Sequence, residues 1–143
     1  MFRGRFFVVI LPNGLDTLRE FNQTDSEMKK FISHPIGVDQ GEKILFSEFA
    51  EGGGMWTGEG PRERSAEIRF SETFRSVPVV QIGVALWDVD TSSALRAEVK
   101  AEDITEDGFK AIFRTWSDTK IARIRVVWTA IGDLSHEDDW DIA

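Results

Sequence analysis

A chain of 143 residues and 16.2 kDa is one domain with short additions, long enough to bury a core and too short for two domains of ordinary size. Its net charge of −8 repels phosphate, which disfavours general binding to nucleic acid or to an anionic membrane surface. The lack of cysteine removes any disulfide framework, thiolate metal site or cysteine nucleophile. With His34 and His136 as its only imidazoles, one chain cannot build a multi-histidine metal centre and makes a poor host for a Ser-His-Asp triad. The composition requires no cofactor and speaks against an enzyme.

In chain order, Phe6 to Leu11 is an apolar run that briefly imitates a signal peptide. It is too short, and Pro12-Asn13-Gly14 comes next in place of a cleavage site, so the run reads as a strand and a turn. Asp25 is placed to cap a short helix with Met28, Phe31 and Ile32 on one face. Residues 1–34 differ in pattern from the rest and read as an attachment segment. No stretch is long enough to span a bilayer as a helix.

From residue 35 to 132 the signals are strand-like, broken by glycine and polar residues. Glu42 to Phe49 is the first candidate strand, followed by the Gly52-Gly53-Gly54 hinge and an irregular loop from Thr57 to Arg64. Ser65 to Phe70 alternates, with Ala66, Ile68 and Phe70 inward. Val77 to Trp87 is apolar on both parities, Val80, Ile82, Val84 and Leu86 against Val79, Gly83, Ala85 and Trp87. A strand apolar on both faces is covered on both, and in so small a chain a second subunit is the expected cover. Leu95, Ala97, Val99 and Ala101 point inward on the next strand. Phe109, Ala111 and Phe113 do so on the one after, which turns at Ser117-Asp118-Thr119-Lys120 and returns through Ile124, Val126, Trp128 and Ala130. The expected architecture is all-β, a six-stranded antiparallel sandwich, with residues 133–143 as an acidic tail.

Trp116 stands on the polar parity of its strand, with Lys110 and Arg114, at the tip of an expected hairpin. A pyranose has an apolar patch of C–H bonds on one face and hydroxyls around its rim. An aromatic plate beside Arg96, Ser117 and Asp118 therefore offers what a sugar needs. Spacing alone favours a plainer account, in which Trp116 packs on a neighbouring subunit and Arg96 makes an ordinary salt bridge.

The weighting changes with the motifs Leu95-Arg96, Lys100-Ala101-Glu102, Asp107-Gly108-Phe109, Arg114-Thr115-Trp116-Ser117-Asp118-Thr119-Lys120 and Val127-Trp128-Thr129-Ala130-Ile131. Together, over about Val38 to Gly132, they resemble the H-type lectin domain, the family of the snail agglutinins and the discoidin C-terminal domain. The resemblance implies a trimer that binds galactose or N-acetylgalactosamine in clefts between subunits. Trp116 would meet the sugar's apolar face, Arg96 its hydroxyls, and Ser117 the adjoining position. The opposite wall would be the loop containing Gly60 and Glu63, with Glu63 on the axial hydroxyl. Ser117 and Ala122 stand where the snail agglutinin has a histidine and an aromatic.

The expected function is thus a carbohydrate-binding module for cell-surface glycans. Residues 1–34 would dock it on a larger assembly, such as a phage-like fibre or spike, released by lysis to act outside the cell; otherwise it would be cytoplasmic. A structural trimeric subunit that binds no sugar is the alternative. Weaker candidates are Asp88 and Asp90 for calcium, three symmetry-related copies of His34 for a metal, and Glu59, Glu63 and Asp118 as hydrolytic carboxylates.

Overall fold

Alternation of apolar and polar side chains builds strands of six to thirteen residues with one buried face, and six of them pair as two sheets. The computed structural model describes residues 26–32 and 35–136. The chain divides after Lys30, and the unit from Phe31 onward contains β1 (Ile36–Ser47), a one-turn helix α1 (Gly54–Thr57), β2 (Arg62–Arg69), β3 (Val79–Val89), β4 (Ala97–Glu102), β5 (Gly108–Thr115) and β6 (Ile121–Asp133). One antiparallel sheet has the order β1-β6-β3 and the other β2-β5-β4.

The inner faces of the two sheets meet in a continuous core. At one end Ile68, Phe70, Phe74 and Phe109 surround Trp128, and the indole lies 5.6 Å from the Phe109 ring and 5.8 Å from Phe70. At the other end Phe46, Met55, Phe113, Ile121, Ile124 and Val126 close together. Here α1 contributes Met55, fully buried, as a plug between the sheets. Gly108 opens β5 because an added Cβ would run into the Ile68 carbonyl oxygen across the ladder.

Several sequence expectations need correction. The segment after Trp116 does not form a hairpin: β5 and β6 lie in different sheets, and residues 116–120 cross from one to the other. The first strand starts at Ile36, six residues before Glu42, because Val38 and Ile36 pair with Ile131 and Asp133 on β6. The loop expected from Thr57 to Arg64 is shorter, since α1 fills Gly54–Thr57 and β2 already begins at Arg62. Leu95 precedes β4 and is exposed rather than inward. A bulge at Ala85 reverses the parity of the rest of β3, so Leu86 pairs with outward Arg125 while Trp87 takes the core-facing parity, its ring 6.0 Å from Phe113 though 46% exposed.

Residues 26–32 show no helix. The capping residue Asp25, the Phe6 to Leu11 strand, His34 and residues 137–143 of the acidic tail lie outside the described residues. Asp133 completes β6, and Leu134 packs on the core with its N–H donated to the Pro35 carbonyl at 2.7 Å. Among the described residues no helix is long and apolar enough to cross a membrane.

Candidate functional site

The rows of side chains on the outer face of β2-β5-β4 are set by its register. Arg62 pairs with Thr115 and Thr115 with Ala97, so extending the ladder by one residue sets Pro61 and Arg96 on either side of Trp116. The next outward row is Glu63, Arg114, Glu98. Trp116 is 43% exposed and forms one wall of a cleft of about 310 Å³ shared with Pro61, Glu63, Glu98 and Arg114. Glu63 is the second expected site residue that lines this cleft. Arg96 and Asp118 lie outside it at the turn, joined through Arg96 Nη1 and Asp118 Oδ1 at 3.3 Å, with Ser117 Oγ donating to the same carboxylate at 3.5 Å. Both partners of that ion pair are largely exposed, so it holds them loosely and leaves them open to a ligand.

The crossing turn is fixed from below by two buried threonines, each 1% exposed. Thr115 Oγ1 donates to the Arg96 carbonyl at 2.6 Å. Thr119 Oγ1 accepts from the Arg96 N–H at 3.1 Å and donates to the Ala94 carbonyl at 2.7 Å. Both backbone polar groups of Arg96 are thereby satisfied by the segment that carries Trp116, which ties the arginine and the tryptophan to one frame. Thr119→Val, similar in shape but without the hydroxyl, leaves a buried N–H and C=O without their partner. It is expected to cost about 2 kcal/mol in chemical denaturation, while Thr119→Ser stays within about 1 kcal/mol of the parent.

The turn is fixed from the side by Arg62, which no motif or spacing singles out. Its guanidinium donates to five carbonyls, those of Gly60 (3.0 Å), Gly54 (3.2 Å), Met55 (3.2 Å), Ser117 (3.3 Å) and Thr119 (2.7 Å). It ties α1 and the loop before β2 to the Trp116 turn. Gly60, at φ +77°, adds its N–H to the Ser117 carbonyl at 2.9 Å, and Ser117 itself adopts φ +62°. Gly60 therefore acts through its backbone. Behind it, Glu48 accepts the Met55 N–H at 2.8 Å and the Arg64 Nε at 2.5 Å.

Arg114 and Glu98 also line the cleft, though the sequence gives neither a role in the site. The Arg114 Nε donates to Glu63 at 2.7 Å, and its other nitrogens lie 3.4 Å from Glu102 and 3.6 Å from Glu98. The hydrogen bond to Glu63, reinforced by the charges of Glu102 and Glu98, raises the guanidinium pKa further above its ordinary value. Glu102 is held below the usual carboxylate range, first by its hydrogen bond from Lys100 and then by Arg114. Trp116 and Arg114 are two residues apart on one strand face, and that spacing is the available signal.

The weaker candidates are engaged locally. Asp90 accepts the Ser92 N–H at 2.8 Å, and Asp88 faces Arg123 at 3.7 Å. Among the described residues no group of three or more His, Asp or Glu side chains is arranged to hold a metal ion. Ala122, where the snail agglutinin has an aromatic, is buried.

Known proteins share this architecture. The model of the H-type lectin domain matches residues 65–131. The ATP synthase subunits region ORF 7 protein of Fuscovulum blasticum is 49% identical over 107 residues, covering 75% of this chain and 93% of that protein. Discoidin-2 of Dictyostelium discoideum is 33% identical over 76 residues, covering 52% of this chain and 30% of its own length. Two solved structures of Dictyostelium discoideum discoidin II superpose with TM-scores of 0.61 and 0.62 at 28% and 27% identity. They cover 70% and 73% of this chain but only 38% and 40% of theirs. Over residues 65–131 the chain is an H-type lectin domain, on a β-sandwich of the kind seen in discoidin II.

Proposed function

We propose that this chain binds cell-surface glycans by stacking a hexose on Trp116, with Arg96, Ser117 and Asp118 taking its hydroxyls. The observation that carries the reading is the half-exposed indole on a hydrogen-bonded turn, flanked by Pro61 and Arg96 and opening on a cleft that Glu63, Arg114 and Glu98 also line. The H-type lectin match supports carbohydrate binding as the mode of action, and the resemblance carried by the Trp116 motif implies a galactose or N-acetylgalactosamine type of ligand. A single shallow site of this kind binds at roughly millimolar strength, so useful affinity comes from several sites on one particle.

Assembly as a trimer is supported by the outer face of β1-β6-β3. Val38, Ile131 and Val79 form one apolar row across the three strands and are 65%, 39% and 51% exposed. Such a row in one copy suits burial against another. The segment before residue 35 would then dock the module on a larger assembly such as a fibre or spike. The same apolar row also favours the second reading, a trimeric structural subunit without a sugar site.

A glycan array probed with the full chain and with Trp116→Ala, alongside light scattering, separates the two. The lectin reading expects galactose-type binding that falls below detection in the variant, a loss of about 2 kcal/mol per site. The molar mass would remain three times 16.2 kDa. No glycan binding by an intact trimer, or assembly disturbed in the variant, would favour the structural subunit.

A further inference from the structure

The row beneath Trp116 has the chemistry of a second recognition element. Glu63, Arg114 and Glu98 lie opposite one another on β2, β5 and β4, two residues and roughly 7 Å along the strands from the row Pro61, Trp116, Arg96. All three side chains are partly exposed and line the cleft that Trp116 closes at one end. Arg114 is held chiefly by its 2.7 Å hydrogen bond to Glu63, with Glu102 and Glu98 at 3.4 and 3.6 Å, so donors and acceptors already stand side by side along the cleft.

We infer that this row is a second saccharide subsite, which takes the hydroxyls of a neutral sugar unit next to the one stacked on Trp116, so that the ligand is a disaccharide or longer glycan. The inference rests on the lectin reading and deepens it. Hydroxyls suit the row because each can accept from a remaining Arg114 N–H while donating to Glu63 or Glu98. A ligand carboxylate suits it poorly. It would have to displace one of the built-in carboxylates from the guanidinium and would meet the others at close range. The cleft volume of about 310 Å³ is at the small end for ligand sites, fitting one further sugar unit rather than a branched glycan.

Calorimetric titration of the full chain with methyl β-galactoside, lactose and lactobionate tests this. Lactose presents a neutral second ring, and lactobionate presents a carboxylate in its place. Lactose is expected to bind roughly five- to tenfold more tightly than the methyl galactoside, an advantage that one or two added hydrogen bonds supply. Lactobionate should lose that advantage. Arg114→Gln should bring the ratio of lactose to galactoside affinity close to one. Glu98→Gln, which leaves the Arg114–Glu63 pair in place, should lower the same ratio and covers the case in which the arginine variant folds poorly. Equal binding of the two neutral sugars by the parent, a ratio that survives both variants, or lactobionate binding as tightly as lactose would overturn the second subsite while leaving Trp116 as a sugar site. Failure of a folded protein to bind any of the three would overturn the galactose-type reading itself, and the inference with it.

Discussion

Arg62→Ala is expected to abolish glycan binding and to lower stability by about 3 kcal/mol. Arg62 also lines the cleft beside Trp116, but its guanidinium is committed to the backbone rather than to the proposed sugar contacts. Its guanidinium is the common partner of five carbonyls from α1, the loop before β2 and the crossing turn. Removing it leaves those acceptors to water or to nothing. It also releases the Ser117 and Thr119 carbonyls that set the angle at which Trp116 leaves β5. A hydrogen bond to a charged donor is worth more than a neutral one, and several are lost together, so the cost exceeds that of an ordinary surface substitution. Arg62→Lys keeps the charge but offers a single compact ammonium in place of a planar fork, and it should recover only part of the stability and little of the binding. Chemical denaturation measures the first effect and glycan titration the second. An alanine variant that binds as well as the parent would show that the turn holds its shape without the arginine.

Phe113→Ala should cost about 4 kcal/mol and lower Tm by about 20 °C. The ring is fully buried where both sheets and α1 converge, 5.6 Å from Phe46 and 6.0 Å from Trp87, in the cluster that also holds Met55 and Val126. These neighbours belong to the facing sheet β1-β6-β3 and to α1, so they cannot collapse into the space without drawing that sheet and α1 away from their own packing. The loss therefore includes a cavity as well as the transfer of the ring. Phe113→Leu, which refills most of the volume, is expected to cost less than half as much. A change below about 1 kcal/mol for the alanine variant would mean that the end of the sandwich carrying the site is not packed as described.

Most strands are legible in the sequence because one buried face leaves a period of two: Ala97, Val99 and Ala101 on β4, Phe109, Ala111 and Phe113 on β5, and Ile124, Val126, Trp128 and Ala130 on β6 all face the core as their spacing demands. The relation of β5 to β6 is not legible, for a physical reason. Two inward faces look the same in sequence whether their strands lie side by side in one sheet or opposite each other in two, and a five-residue link serves either. The inward threonines at positions 115 and 119, one at each end of the turn, are the mark of the crossing. Their value shows only once the Arg96 and Ala94 backbone is seen beneath them. The bulge at Ala85 leaves no mark in an apolar run, so the orientation of Trp87 is open at the level of sequence.

The candidate site is legible in the side chains around Trp116 and not in the scaffold that holds them. Trp116 stands out because an indole on a polar parity needs a reason, and Arg96 because it neighbours that row. Arg62 works by gathering backbone carbonyls, which every residue has, so no spacing in the sequence distinguishes it. Arg114 and Glu98 look like the ordinary charged outer face of a sheet until the three-strand register places Glu63, Arg114 and Glu98 in one line beside the indole.

Contact between a hexose and the Trp116 indole is directly observable in solution. Saturation-transfer difference NMR with methyl β-galactoside tests it most directly, because transfer is strongest to the sugar protons that touch the protein. The expected result is strong transfer to the ring C–H protons of one face of the galactoside and weak transfer to its methyl group, with the signal lost in a folded Trp116→Ala variant. Unchanged transfer in that variant would contradict the contact, and so would a folded parent protein that shows no transfer.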